Sequence, residues 1–406
     1  MKLLVSAYAC EPGKGSEPAV GWNWVQALVR RGYEVHVITR SNNRANIEGA
    51  PASRQAGLTF HYHDLSAFAR RWKHRRGGIY LYYLLWQWGA YRLAKRLHAR
   101  ERFDRVHHVT FVSYRQPSFM GGLGIPFIFG PIGGGETMPP RLLRTLSIRG
   151  RTSEAIRNLG GKLIALDPLM HSTFSRAAII ACTTAETVAR IPRRYRPKCV
   201  VQLAIGIDEA EIVAAPCEPP RAPRLLFVGR LLYWKGLHLA FRALAEARIP
   251  IPEIRMKIVG SGEDRAWLES EARSAGVMDL LEWVSSTPHD EIVREYCQSV
   301  CLVFPSLHDS GGMVVLEALA AGLPVVCLDL GGPGAIATSD CALIIPARQD
   351  APEEIVRGLA NAIVRMVGDA PLRAGLSANA VHRARELTWD RAVESLYGLV
   401  DSVSRG

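Results

Sequence analysis

The stretch RLLFVGRLLYWKG, residues 224–236, combines a short apolar run, a glycine turn and two cations, Arg230 and Lys235. A short apolar run that ends at a glycine is typical of a buried β-strand, and a helix-like segment follows Gly236. Strand, turn and helix in this order predict an α/β unit. Two cations beside a helix N-terminus are suited to bind a diphosphate. For this stretch alone, a solvated pair of surface charges is the alternative.

Short apolar runs alternate with longer amphipathic segments along almost the whole chain, a pattern that builds parallel sheets covered by helices. In the first half, strands are predicted at residues 2–7, 34–39, 105–109, 127–129 and 178–182. In the second half, they are predicted at residues 224–228, 256–259, 281–284, 300–304 and 325–328. Two such sets predict an α/β fold of two Rossmann-like halves.

A proline-rich connector at residues 215–223 and a change in charge divide these halves. Residues 1–200 carry 31 Lys and Arg against 11 Asp and Glu, whereas residues 201–406 carry 19 against 27. The predicted domains are 1–204 and 205–386, and residues 387–406 form a last helix with its cap near Thr388. The basic first half is expected to seek polyanions.

Composition excludes several classes of protein. The 406 residues are 48% apolar and 22% charged, which fits a folded protein and excludes a disordered chain, a collagen-like repeat and a disulfide-stapled mini-protein. The eight cysteines show no C-x-x-C pair and are predicted to be reduced thiols. No apolar run reaches the roughly 20 residues of a membrane-spanning helix. These features predict a cytoplasmic protein, peripheral on the inner face of the plasma membrane.

A second motif, residues 304–317, places a predicted strand end, a glycine turn and a helix start between the carboxylates of Asp309 and Glu317. The backbone N–H groups at the start of a helix have no partner within the helix, so those of residues 311–314 can meet phosphate oxygens. Glu317 lies one turn further, where a carboxylate can accept from ribose hydroxyls. For Asp309 alone, a helix N-cap is the alternative.

Glycine-containing loops follow two predicted strands of the first half, at residues 11–18 and 130–136. Such loops open onto the carboxyl edge of a parallel sheet, where ligands bind in α/β folds. Ordinary βα loops are the alternative, because a run of glycines alone is weak evidence of a site.

Taken together, V-G-R-L-x-x-x-K-G at 228–236, the Gly-x-Gly at 260–262, the acid-x7-Glu pair and the following ALAAGLPV at 318–325 resemble a known family. It is the family of retaining, metal-independent, nucleotide-sugar-dependent glycosyltransferases often called glycosyltransferase group 1, which build bacterial cell-surface polysaccharides. The resemblance extends over nearly the whole chain. It implies a GT-B fold, with two facing Rossmann-like domains and a deep interdomain cleft.

The resemblance also implies roles for individual residues. Arg230 and Lys235 would hold the donor diphosphate and stabilise the leaving group, and Glu317 would bind the ribose. Asp309 stands where the family has its first glutamate, and it would contact the sugar near the anomeric carbon. Gly311-Gly312-Met313 replaces the more usual Gly-Phe-Gly. Further donor contacts are expected at Gly15, Ser16, Gly229, Gly262, Gly311, Gly312, Met313 and Val314.

His107 and His108 end the predicted strand at 105–109. Neighbouring strand residues point to opposite faces, so one of the two is expected to face the cleft. Family members often have a histidine near the acceptor hydroxyl at this position, and His108 is our candidate for a catalytic residue. The alternative, that both histidines only satisfy backbone groups, stays open.

A basic and aromatic segment at residues 69–97 combines Arg and Lys with a band of Tyr and Trp. This combination is typical of a helix at the surface of an anionic bilayer. The alternative is a solvated basic face beside a core helix. A polyprenyl-pyrophosphate-linked acceptor would explain the segment, and we expect a glycan or such a lipid-linked molecule as the acceptor.

The predicted function is therefore hexosyl transfer from a nucleotide sugar to a glycan or lipid-linked acceptor in the synthesis of exopolysaccharide, capsule or lipopolysaccharide. No metal or other cofactor is expected, because no D-x-D follows a predicted strand and no His/Cys cluster has zinc spacing. No nucleic-acid partner is expected either, since no recognition motif accompanies the basic charge. A non-catalytic polyanion-binding protein and a GT-B phosphorylase or epimerase remain the alternatives.

Overall fold

The computed structural model describes residues 1–66, 69, 78–214 and 222–403. It divides the chain into two compact units. The first unit comprises Met1–Gly135, Gly160–Ile205 and Trp389–Gly406, and the second comprises Glu136–Leu159 and Gly206–Thr388. Residues 70–77 of the basic and aromatic segment and residues 215–221 of the proline-rich connector lie outside the described residues.

The first unit contains a parallel sheet in which the described strands follow the order β3-β2-β1-β4-β5-β6-β7. The strands are β1 Lys2–Ala7, β2 Glu34–Arg40, β3 Leu58–His63, β4 Arg105–Thr110, β5 Phe127–Ile132, β6 Ile179–Cys182 and β7 Cys199–Val201. The helices that begin in this unit are α1 Glu17–Arg30, α2 Arg44–Gly49, α3 Gly78–Glu101, α5 Pro168–Arg176, α6 Ala185–Arg190 and α14 Trp389–Val403.

The second unit contains another parallel sheet, with its described strands in the order β10-β9-β8-β11-β12-β13. The strands are β8 Arg224–Val228, β9 Arg255–Val259, β10 Leu281–Val284, β11 Cys301–Phe304, β12 Val325–Leu328 and β13 Ala342–Ile345. The helices that begin in this unit are α4 Ile148–Leu163, α7 Leu237–Ala247, α8 Arg265–Ser274, α9 His289–Cys297, α10 Met313–Ala320, α11 Gly331–Ile336, α12 Pro352–Gly368 and α13 Ala370–Glu386.

These two sheets of Rossmann-like type confirm the predicted fold class. The predicted strands are present, and several have the predicted bounds to the residue, as β1, β8 and β10 do. Three strands were not predicted: β3, β7 and β13. All three are edge strands that are only partly buried. Apolar and polar residues alternate in β3, whereas β7 and β13 are short apolar runs of three and four residues that were not assigned as strands.

The expected domain boundaries differ from the observed division at Glu136–Leu159. The sequence analysis assigned these residues to the first domain, but they group with the second unit. The physical reason lies in their contacts: the Glu136 carboxylate accepts from the Ser310 hydroxyl, and Thr145 Oγ1 lies 2.9 Å from His238 Nε2. Such long-range contacts cannot be read from a local pattern.

The C-terminal helix α14 belongs to the first unit, where its inward face is buried. The Tyr397 hydroxyl lies 3.0 Å from His107 Nδ1, and Arg105 Nη2 lies 2.6 Å from Asp401 Oδ1. Trp389, the first residue of the helix, is 1% exposed. These contacts attach the end of the chain to strand β4.

The cysteines test the predicted redox state of the thiols. Among the described residues, Cys297 is disulfide-bonded, so the prediction of reduced thiols is wrong for it. Sequence spacing does not show which cysteines approach each other in space. Six other described cysteines are free.

In the described part of the chain, no helix combines the length and the apolar character needed to cross a membrane.

Candidate functional site

Two loops of the second unit meet at the carboxyl ends of the neighbouring strands β8 and β11. The carbonyl oxygen of Trp234, in the first loop, accepts from the Leu307 N–H at 2.8 Å and from the Ser306 hydroxyl at 3.2 Å. These bonds hold the loop after β11 against the loop after β8. Parallel strands place both loops at one edge of the sheet, where α/β folds bind ligands.

The meeting of the loops brings together Lys235 and Asp309, which are 74 positions apart in the sequence. The Lys235 ammonium forms an ion pair with the Asp309 carboxylate, and it lies 4.9 Å from the centre of the Phe304 ring. Both side chains are only partly exposed, at 15% and 20%. The Asp309 carboxylate thus holds the ammonium at the sheet edge.

Arg230 lies in the same loop as Lys235 and is exposed. Among the described residues, its guanidinium has no hydrogen-bond or ion-pair partner. Its five N–H donors are therefore available to a ligand, and a guanidinium can bind phosphate oxygens in pairs. Arg230 and Lys235, the two cations predicted to bind a diphosphate, thus lie in the same loop between β8 and α7.

The N-terminus of α10 follows directly after Asp309. Gly312 caps the helix with φ of 75°, a left-handed conformation that glycine adopts without strain. Within the described part of the chain, the N–H groups of Met313 and Val314 have no acceptor. They are the free donors expected at a helix start, with the positive end of the helix dipole behind them.

Glu317, one turn into α10, lines a cavity of about 360 Å³ in the second unit. The Tyr296 hydroxyl donates to Glu317 Oε2 at 2.9 Å. Burial, together with the neighbouring Glu317 charge, raises the pKa of Tyr296 well above its ordinary value, so this hydroxyl remains a donor. The rest of the cavity wall is mainly apolar, with Ile207, Val213 and Val293 among its lining residues. In an apolar cavity of this size, the Glu317 carboxylate can accept hydrogen bonds from hydroxyl groups on one side of a small ring.

The Gly-x-Gly loop supports the Arg230 loop from behind. A Cβ on Gly262 would lie 2.2 Å from the carbonyl oxygen of Leu231, and one on Gly260 would lie 1.9 Å from that of Gly229. Leu231 N–H also donates to the Ser261 carbonyl at 2.9 Å. Gly262 thus packs against the neighbouring loop, and its predicted contact with the nucleotide-sugar donor stays a prediction. Gly229 lies at the turn after β8, as predicted.

Gly236 is a position at which backbone conformation and space both require glycine. Its φ is 76°, and a Cβ would lie 1.9 Å from the Pro305 carbonyl oxygen. We expect Gly236→Ala to lower the free energy of unfolding by more than the about 1–2 kcal/mol of a left-handed alanine. Gly276→Ala is the matched control, because Gly276 has φ of 69° and nothing within 4 Å of its Cβ position. Denaturant unfolding measures both, and equal losses would contradict the predicted collision.

Sequence reasoning missed a buried polar cluster behind these loops. Glu154, from α4, accepts from the Tyr233 hydroxyl at 2.9 Å, and its carboxylate lies 2.8 Å from His308 Nε2 and 3.6 Å from Arg157 Nη1. The His308 ring stacks on Trp234 at 5.6 Å. Glu154 therefore contacts both loops that carry the predicted cations and Asp309. A buried carboxylate in the first half of the sequence gives no local signal of such contacts.

Gly15 and Ser16 lie in the first unit, in the loop between β1 and α1. Both are exposed, and Ser16 precedes α1 with φ of 60°. The residue that follows, Glu17, accepts from the Val112 N–H at 2.9 Å. Burial raises the pKa of Glu17 despite this hydrogen bond. The predicted contact of Gly15 and Ser16 with a donor stays a prediction.

Both candidate histidines are buried in the first unit. His108 has no exposed surface, its Nε2 lies 3.3 Å from the Tyr83 hydroxyl, and burial lowers its pKa to about 3. His107 is 1% exposed, its Nε2 lies 2.6 Å from the Gly130 carbonyl oxygen, and burial lowers its pKa to about 4. Both rings are neutral at pH 7. His107 contacts a backbone carbonyl, as the alternative expects, whereas His108 contacts a side-chain hydroxyl. The catalytic role of His108 stays a prediction.

Comparison with known proteins finds a family model and relatives that match mainly the second unit. The family model described as "Glycosyl transferases group 1" matches residues 208–381. A glycogen synthase of Mycobacterium tuberculosis is 36% identical over 179 residues, which are 44% of this chain and 42% of that protein. A D-inositol 3-phosphate glycosyltransferase of Thermobifida fusca is 31% identical over 260 residues, 61% of this chain and 58% of the relative. The alignments thus span about half the length of these relatives.

Solved structures of similar fold cover nearly the whole chain. Sucrose-phosphate synthase of Thermosynechococcus elongatus aligns over 100% of this chain and 99% of its own, with a TM-score of 0.66 and 18% identity. The lipopolysaccharide glycosyltransferase WaaG aligns over 97% and 99%, with a TM-score of 0.58 and 17% identity. HepE of Anabaena, crystallised with UDP-glucose, aligns over 99% and 100%, with a TM-score of 0.61 and 13% identity. These structures share the GT-B fold.

Proposed function

Since residues 208–381 belong to the glycosyl transferases group 1 family, we propose that the protein transfers a hexose from a nucleotide sugar to a glycan or lipid-linked acceptor. We place this reaction in the synthesis of a surface polysaccharide. The observation that carries the proposal is the meeting of Arg230, Lys235 and the free N–H groups of α10 at one edge of the second sheet. UDP-glucose in HepE, a protein of similar fold, supports a nucleotide sugar as the donor.

The departing nucleoside diphosphate develops negative charge, and this charge must be stabilised for the sugar to leave. Arg230 and Lys235 supply two cations, and the N–H groups of Met313 and Val314 supply oriented dipoles. When Lys235 moves from Asp309 to the diphosphate, the Asp309 carboxylate becomes available to a sugar hydroxyl.

Transfer proceeds with retention in this proposal. The acceptor hydroxyl attacks the face from which the diphosphate departs, and a β-phosphate oxygen takes its proton. The C–O bond to the leaving group breaks as the new glycosidic bond forms, so no protein nucleophile is required. Proton NMR of the product's anomeric centre tests this step, and an inverted configuration would contradict it.

Because two cations and a helix N-terminus neutralise the diphosphate, we propose that turnover needs no divalent ion. A purified, EDTA-treated enzyme that loses donor turnover and regains it with Mg²⁺ would overturn this part of the proposal.

The test of the function is a panel of UDP-, GDP- and other activated sugars with purified protein. Release of the nucleoside diphosphate and transfer to glycan or lipid-linked acceptors are measured by mass spectrometry. Sugar transfer supports the proposal. Phosphorolysis, isomerisation or binding without turnover would instead support one of the alternatives, a phosphorylase, an epimerase or a polyanion-binding protein.

Glu317 is proposed to bind the ribose of the donor. We expect Glu317→Gln to raise the donor KM about 10- to 100-fold, because hydrogen bonds to a charged group contribute about 1.5–3 kcal/mol. Glu253→Gln is the matched control, an exposed carboxylate of the same unit. Initial rates across donor concentrations measure the effect. An unchanged KM in the Glu317 variant would remove the carboxylate from the ribose site.

A further inference from the structure

Helix α3, Gly78–Glu101, has an inward and an outward aromatic face. Tyr82, Tyr83 and Trp86 are at most 3% exposed and pack in the core of the first unit. Tyr80, Leu81, Leu85 and Trp88 are 56%, 49%, 43% and 50% exposed. The aromatic band seen in the sequence is therefore half core and half surface. Packing in the core accounts for the buried residues of the band but not for the exposed ones.

The same face continues into cations. Leu81, Leu85 and Trp88 follow the three- and four-residue spacing that places side chains on one side of a helix. Arg92 and Lys95 continue that spacing from Trp88, and Arg96 lies beside them; all three are exposed. One side of α3 thus presents large apolar groups along its first half and positive charge along its second.

No acidic residue opposes this charge over a long stretch of sequence. Residues 65–100 contain nine Lys and Arg and no Asp or Glu. The acid that precedes the stretch, Asp64, accepts from the Tyr82 hydroxyl and the Ser41 hydroxyl within the unit. Among the described cations of α3, none forms an ion pair along the exposed face. The surface therefore fits a partner that is anionic and also takes up apolar side chains.

We propose that this face of α3 docks on an anionic lipid bilayer, with Leu81, Leu85 and Trp88 at the boundary of the headgroups and Arg92, Lys95 and Arg96 on lipid phosphates. A helix with exposed aromatic and aliphatic groups beside cations binds at such an interface. An RNA or another polyanion would pair with the cations but would leave two leucines exposed to water. The bilayer satisfies both parts of the surface.

This inference rests on the proposed function only for its purpose: docking would concentrate the enzyme where a lipid-linked acceptor lies. The docking itself is independent of donor turnover. Its test can therefore fail while the transferase activity stands, and the reverse is also true.

The test is sedimentation of the full chain with two kinds of vesicle. One contains phosphatidylcholine alone, and the other also contains about 30% phosphatidylglycerol, an anionic lipid. We expect at least about tenfold stronger partitioning to the anionic vesicles. The triple variant Arg92→Gln, Lys95→Gln, Arg96→Gln is expected to lose about 100-fold, at about fivefold per cation. The double variant Leu81→Ser, Leu85→Ser removes the apolar part without changing the charge.

Ile249→Ser is the control for loss of an exposed apolar side chain, because Ile249 is 80% exposed in the second unit. It should partition like the wild type, and thermal unfolding and donor turnover of the soluble variants should match those of the wild type. Equal binding to both vesicle types, or unchanged partitioning of the α3 variants, would overturn the proposal. Binding of an RNA oligonucleotide without binding of vesicles would overturn it as well.

Discussion

Lys235→Ala is expected to lower kcat/KM for the donor by about 100- to 1,000-fold, the range found when one group that stabilises developing charge is removed. The ammonium lies at the edge of the second sheet, paired with Asp309 shortly before the start of α10, and Arg230 is the other cation of its loop. Without Lys235, the departing diphosphate loses one of its two fixed positive charges. Initial-rate kinetics with the preferred donor measure the loss.

Three further variants separate charge from structure. Lys235→Arg keeps the charge and should recover part of the rate, whereas Arg357→Ala, an exposed cation of the same unit, should leave the rate unchanged. Lys235→Ala also leaves the Asp309 carboxylate without its cation, so the double variant with Asp309→Asn should recover stability but not rate. Near-normal turnover in Lys235→Ala would remove the diphosphate from this loop.

The sequence predicted those parts of the fold that repeat or that follow one another closely along the chain. The central strands are continuous apolar runs, so their positions and the α/β class follow from the pattern. Arg230, Lys235 and the start of α10 were predicted because each lies at the junction of a strand with a helix. The edge strands β7 and β13 are apolar runs as well, but they are only three and four residues long and were not assigned as strands.

Contacts between distant segments could not be predicted in this way. His107 and His108 read equally well as site or core residues, and only the packing of β4 against Tyr83 and Tyr397 shows that both are buried. The Gly-x-Gly at 260–262 is part of the family pattern, and only the tertiary structure shows that its glycines make room for the backbone of Gly229 and Leu231. Local patterns show which residue types are present, but tertiary packing determines what those residues touch.

Glu154 is the strongest example of such a contact, and its removal carries our second large expected effect. The carboxylate has no exposed surface, and it accepts from the Tyr233 hydroxyl while lying 2.8 Å from His308 Nε2. Glu154→Ala should lower the free energy of unfolding by about 3–5 kcal/mol, the usual cost of removing one partner of a buried ionic cluster. Glu253→Ala, on the surface of the same unit, should change it by no more than about 0.5 kcal/mol.

The acid dependence of stability distinguishes the charge of Glu154 from its shape. Burial alone would raise the pKa of Glu154, but contacts with His308 and Arg157 and the Tyr233 hydrogen bond outweigh burial and lower it. A carboxyl whose folded pKa lies below its unfolded value, about 4.3, adds stability above that value. This contribution is lost as the pH falls through the folded pKa.

Glu154→Gln keeps the shape of the side chain and removes the charge. The difference in unfolding free energy between wild type and this variant should shrink as the pH falls below about 4.3 and through the folded pKa of Glu154. Urea unfolding at matched pH values measures it, and other carboxyl groups cancel because both proteins contain them. A difference that stays constant down to pH 3 would show that the negative charge of Glu154 does not stabilise the cluster. Tyr233 and His308 would then be held by packing alone, and the donor loops would not depend on an anion supplied from helix α4.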